Sequence, residues 1–419
     1  MAPERLTDDT VPTRKETATG SSPPDSARRP LHRTVTLALA AAALLAGTAV
    51  GTRGWAKWKA SQLDRQWRSA LDERDWQRAA AVARRLAVFR TADGDFWLDL
   101  ADCARELDDA ELAAIALGHV PEDDPRHLNA LLLQADLLFG ELDRPLEAAA
   151  VWKRMLQLDP LNATAFQRLI YFYAMTVQRA ELVETIRLAM ERHREPPEAY
   201  TYLVLSDRLQ FSDALFRIRR WRKQTPGSEI LEVADAYFAS QQRRPAANGT
   251  EIPEVREGSV HPAMQQCLRK YPKNLEVLAY HAEQARLRGD HDALRRILLE
   301  APPEAERDAR FWRFRGWLLR LADRLPDAEA AYRQALNRNA YDWRARLELA
   351  AILRLSGKTG EAAEQSRIAL LGKTLERRLL ELPNAAALDG PIVARLYEYA
   401  RQLGDRQVVR ALEYRGVRL

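Results

Sequence analysis

Residues 309–340 read ARFWRFRGWLLRLADRLPDAEAAYRQALNRNA, and this stretch decides the fold. Trp312, Gly316 and Leu319 recur at helical spacing and line one face of a first helix. The turn 322–327, ADRLPD, interrupts the pattern. Ala328, Tyr332 and Ala335 then line a second helix. Small residues at 316 and 328 let the two helices approach closely, while Trp312 and Tyr332 fill the space toward a neighbouring unit.

The second-helix pattern, small-x3-bulky-x2-small or apolar, recurs along the chain. It begins at Ala79, Ala113, Ala148, Leu182, Ala214, Val260, Leu294, Ala328 and Ala362, with steps of 34, 35, 34, 32, 46, 34, 34 and 34 residues. A period this steady indicates stacked copies of one supersecondary unit. Such a unit cannot bury both of its faces alone, so neighbours must cover them.

These residues resemble the tetratricopeptide repeat, whose pattern is W-x2-L-G-x2-Y…A-x3-F…P. Trp312, Gly316, Ala328, Tyr332 and Ala335 match, and Ala340 stands where the pattern has Pro. Ala148, Trp152, Met155 and Pro160 match in a second unit, and Ala113, Leu117, Val120 and Pro125 in a third. The resemblance implies an all-α fold: a right-handed α-solenoid of about nine helix-turn-helix repeats over residues 61–376, closed by capping helices over 377–419. The 46-residue step places an insertion loop at 243–258, RRPAANGTEIPEVREG, a candidate contact site.

The amino-terminal end reads differently. Residues 1–33 are rich in Pro, Ser, Thr and Arg and are expected to be disordered. Residues 34–51 carry no charge and span about 27 Å as a helix, which predicts a single transmembrane signal-anchor, with an interfacial linker at 52–60. An anchor followed by repeats is similar in layout to the lipopolysaccharide assembly protein B family. That layout implies a bacterial inner-membrane protein, and a short polar tail ahead of a first hydrophobic segment favours a cytoplasmic amino terminus with the repeat domain on the outer side. The paired CxxC motifs of that family are absent, so only the layout carries over. Cleavage near Val50 would instead give a secreted, soluble repeat protein.

Apolar residues make up 47% and charged ones 29%, an ordinary globular mix. The net charge of +5 permits anionic partners and requires none. Cys103 and Cys267 are too few for a disulfide framework. No catalytic motif survives. Ser356-Gly357-Lys358-Thr359 resembles the end of a phosphate loop, but Ile352 stands where its leading Gly belongs. The seven histidines show no ligand spacing. The expectation is a non-enzymatic scaffold without cofactor or metal.

Tetratricopeptide stacks bind partners in a concave groove lined by their first helices. By resemblance, that groove contains Arg310, Arg313, Trp317, Arg320, Arg344 and Arg354, with Leu347 among them. Guanidiniums around an indole suit a protein or peptide partner, possibly acidic, with carboxylates gripped bidentately. The family's clamp for chaperone tails uses Asn where this chain has Trp317 and Glu348, so that ligand is not implied. A second basic run, Arg217, Arg219, Arg220, Arg222 and Lys223 around Trp221, offers the alternative of an anionic-polymer binder, although nucleic acid is disfavoured.

Overall fold

A computed structural model describes residues 54–242 and 259–416. The tail 1–33, the segment 34–51 and the loop 243–258 lie outside the described residues. The chain divides into two compact units, Met1–Gln66 and Trp67–Leu419. In the first, residues 54–66 are helical, including most of the stretch expected as a linker. All that follows concerns the second.

Nine consecutive helical hairpins run from Gly94 to Tyr414 among the described residues, and there is no strand among them. The hairpin of the opening quotation has helices Ala309–Leu321 and Leu325–Arg338. Many helix starts are capped by a side-chain oxygen that accepts an otherwise unpaired amide. Asp109 takes Leu112 N–H, Asn162 takes Ala165 N–H, and Asp405 takes Val408 N–H. The turn inside most hairpins holds one left-handed residue at a recurring position: Asp108, Asp143, Val177, Gly289, Asp323, Gly357 and Gly404. Asp and Gly tolerate that conformation; a β-branched residue such as Val177 does so at a cost.

The rungs are the core. Ala79, Ala113, Ala148, Leu182, Ala214, Leu294, Ala328 and Ala362 are all 0% exposed, which identifies them as the points of closest helix approach. Gly316 works as its position implies, because a Cβ there would stand 3.0 Å from the Tyr332 ring. Val260 departs from the pattern. Its helix starts later, at Pro262, with His261 as the cap, so Met264 and Cys267 fill the core instead.

The final hairpin, Gly390–Leu403 and Arg406–Tyr414, turns back onto the middle of the chain. Arg187 pairs with Asp405 at 2.7 Å, and Arg415 with Glu195 at 2.8 Å. Thr201 Oγ1 donates to the Ala385 carbonyl at 2.7 Å. Val408, Ala411 and Leu412 share one hydrophobic cluster with Leu182, Ile186 and Met190. The stack therefore coils far enough for its last hairpin to seal against the helix Arg179–Glu191.

The expected membrane placement is overturned. Among the described residues no helix is long and apolar enough to cross a membrane. The longest, Thr359–Leu380 at 22 residues, carries Glu361, Glu364, Arg367, Lys373, Glu376, Arg377 and Arg378. Charge at that density is incompatible with hydrocarbon. A bacterial inner-membrane location with the repeats on the outer side does not stand.

Candidate functional site: the concave face

The first helices of the last three regular repeats are Leu275–Arg288, Ala309–Leu321 and Trp343–Leu355. Their amino-terminal halves and their carboxyl-terminal halves have opposite characters, and coil closure is the cause.

The amino-terminal halves face a filled interior. Arg310 is 7% exposed and holds Glu276 through two hydrogen bonds of 2.6 and 2.9 Å, with Asp308 at 2.6 Å. Arg313 bonds Asp342 of the next repeat and lies 3.3 Å from Asp207, which arrives from the loop after Pro197–Val204. Arg179 crosses from the opposite side to within 3.2 Å of Glu276 and donates to Tyr237 Oη at 3.0 Å. Arg344 forks onto Glu376 at 2.8 and 2.9 Å while stacking on Trp343 at 4.3 Å. Arg310, Arg313 and Arg344, three of the groove arginines expected from the sequence, are thus matched by carboxylates of the chain itself.

The electrostatics follow the geometry. Burial alone would lower Arg313, but the carboxylates of Asp342, Asp207 and Glu283 outweigh it and raise the guanidinium pKa. Asp308 is held below the usual carboxylate range because Arg310 overcomes the cost of its burial. Arg344 does the same for Glu376, and Arg187 for Asp405. Asp207 goes the other way: burial, then the neighbouring Asp342 charge, push its carboxyl up.

These directions set a pH dependence. Asp308, Glu376 and Asp405 have depressed folded-state values, so their stabilisation is present above the unfolded-state value and is lost as pH falls through the folded one. Asp207 has the opposite sign, its contribution being lost as pH rises. Three groups are depressed against one raised, and one of the three, Asp405, is paired where the coil closes. The urea midpoint, followed by far-UV circular dichroism, is expected to fall as pH drops below the carboxylate range. An unchanged midpoint would contradict the ion-paired interior.

The carboxyl-terminal halves are open. Arg286-Leu287, Arg320-Leu321 and Arg354-Leu355 occupy the same place in successive repeats, 34 residues apart. The three leucines are 39%, 47% and 67% exposed, unusual for large apolar side chains at a repeated position. Arg286 meets Glu283 at 2.8 Å and Arg320 meets Glu348 at 2.5 Å, while Arg354 donates to Ser366 Oγ at 3.2 Å. Trp317 is partly buried, its ring edge-on to His291 with centroids 5.3 Å apart. Leu347 is 44% exposed.

The structure therefore spreads the six expected residues over two environments. Arg310 and Arg313 lie in the internal network, and Arg320, Arg354 and Trp317 lie toward the open half; Arg344 is between them, paired with Glu376 but 36% exposed, as Arg320 is. Leu287, Leu321 and Leu355 were missed by sequence reasoning, although the recurrence of Arg-Leu at 34-residue steps was there to be found. The four arginines of the second basic run are also matched: Arg217 with Asp213, Arg219 and Arg222 with Asp235, and Arg220 with Asp143. Trp221 is 2% exposed and belongs to the core. Among the described residues no cluster of His, Cys, Asp and Glu could hold a metal ion.

No protein-family model matches the chain, and no curated protein does. Among solved structures, the chain is similar to one described as the APC/C hetero-tetramer Cut9-Hcn1. The two are 14% identical, covering 84% of this chain and 77% of that one, with a TM-score of 0.31. It is also similar to a tetratricopeptide repeat protein from Parabacteroides merdae, 11% identical over 70% of this chain and 99% of that one, with a TM-score of 0.24. At these scores neither likeness adds to what the hairpins themselves establish, an all-helical repeat stack.

Proposed function

We propose that the chain is a non-enzymatic scaffold that holds a protein or peptide partner along the open half of its concave face. One observation carries this reading: three partly exposed leucines, each preceded by an arginine, stand in register on three successive repeats. Solvent-facing apolar residues are ordinary when scattered and informative when aligned. A partner that sets apolar side chains on Leu287, Leu321 and Leu355 would bury its anchors at a regular spacing. Its acidic groups would compete for Arg320 and Arg354, whose own partners are partly solvated. The matched partner is an amphipathic, acidic segment, and such leucine anchors supply affinity while the rim charges supply orientation.

The anionic-polymer alternative is less well supported, because the second basic run is occupied by Asp213, Asp235 and Asp143. A displayed library of random peptides, selected on the purified chain, tests the proposal. Enriched sequences should combine leucine-like anchors with Asp or Glu, and Leu321→Glu with Leu355→Glu should weaken their binding at least about tenfold, the scale of a lost central anchor. Enrichment of basic or purely polar peptides, or binding indifferent to that double variant, would reject it.

A further inference from the structure

Beyond the internal ion network lies a cavity of about 770 Å³. Its walls come from the helix Arg179–Glu191, the loop carrying Asp207, and the starts of the first helices of three later repeats. This size falls inside the range of about 300–1,000 Å³ typical of small-molecule sites. Most of the wall is apolar, with Val177, Val183, Leu203, Val233 and Leu275 contributing. The rim reaches solvent at Glu181, Glu184, Glu304 and Arg307, all exposed. None of the Arg-Leu ladder lines it.

Two features of the wall are out of the ordinary. Arg179 lines the cavity with its side chain only 9% exposed, yet its guanidinium is incompletely satisfied. Nη2 donates to Tyr237, but Nε has no protein acceptor, and Nη1 stands 3.2 Å from Glu276 without hydrogen-bond geometry. Buried donors of this kind almost always find a partner. The second feature is Val177, a β-branched wall residue held at φ 51°, where the equivalent turns use mainly Asp or Gly. Backbone held in a costly conformation is concentrated at ligand sites and switches.

The charges around the cavity argue for the kind of ligand. Among the charged groups of its lining, five arginines stand against six carboxylates. An added carboxylate would deepen that acidic excess, whereas a neutral acceptor oxygen would complete Arg179 without adding charge.

We infer that this cavity is a binding site for a small, uncharged, largely apolar molecule bearing a carbonyl oxygen, which accepts from Arg179. The site is separate from the proposed peptide surface and does not depend on it.

Nile red, a neutral apolar dye with a ring carbonyl, provides the probe. Titrated with the full chain, its emission should shift to the blue and saturate at one dye per chain. Arg179→Met keeps the apolar stem and removes the donors, and should weaken binding about tenfold or more, the scale of a hydrogen bond from a charged group. Val183→Trp fills the wall and should abolish binding. Leu321→Glu with Leu355→Glu should leave it unchanged, which separates this site from the ladder. Each variant is compared at parental helical content. The inference is overturned by absence of saturable binding to the parent chain, by parental affinity in either cavity variant, or by loss of dye in the ladder variant.

Discussion

Replacing Arg313 by glutamate is expected to destabilise the stack by about 3–5 kcal/mol or more, the cost of breaking a buried ion pair by removing one partner. Arg313 lies between the buried Asp342, 4% exposed, and the partly buried Asp207, and its removal takes the paired cation from both carboxylates. The inserted glutamate adds a third. Urea unfolding of Arg313→Glu should show a large fall in midpoint. Arg354→Glu, at an exposed position where the guanidinium donates to Ser366 Oγ, should stay close to the parent. A groove of free guanidiniums would predict the reverse for Arg313, namely a folded protein with altered binding. Equal midpoints for Arg313→Glu and the parent would mean that the internal network does not form.

The second large effect is expected at Trp152. This side chain is 0% exposed and sits in the largest hydrophobic cluster, 5.3 Å between centroids from Phe139, which in turn packs on Trp221 of a later repeat. Trp152→Ala removes the bulky half of a rung and leaves a cavity in a fully buried part of the core. The expected cost is about 3–5 kcal/mol. The loss should spread beyond one repeat, because Phe139 bridges two hairpins. Hydrogen exchange is therefore expected to quicken in the helices Pro145–Leu158 and Ala214–Gln224 together. Faster exchange confined to Pro145–Leu158 would contradict that coupling.

The parts of this architecture that repeat were legible in the sequence. Eight of the nine rungs are fully buried, six of them alanines and two leucines, because the 34-residue pattern marks the core face of each second helix. Gly316 opposite Tyr332 was readable for the same reason. Coil closure was not readable. Arg415 and Glu195 are 220 residues apart, and a single Arg–Glu pair has no periodicity to announce it. The same limitation explains the groove. The repeat resemblance puts Arg313 at an expected groove position, but whether its charge is free depends on Asp207, 106 residues away on a loop of another repeat.

The membrane reading failed for a different reason. It rested on residues 34–51, which lie outside the described residues, and was extended to the location of the whole protein. The described helices instead alternate buried small residues with exposed charge, as the 0% exposure of Ala362 beside the exposed Glu364 and Arg367 illustrates. The Arg-Leu ladder is the opposite case. It was present at an even spacing, but a search for small and bulky core residues passes over a motif whose leucines are exposed.

The central claim is that the stack closes on itself and so divides its concave face into a filled half and an open half. Spin labels at positions 191 and 410, exposed sites on the two helices that meet at closure, report on it directly. Pulsed dipolar spectroscopy at neutral pH should give one short, narrow distance distribution. Arg187→Glu, which sets two carboxylates against each other where Asp405 is now paired, should broaden it. A broad, long distribution in the parent chain would show an open coil and contradict the account.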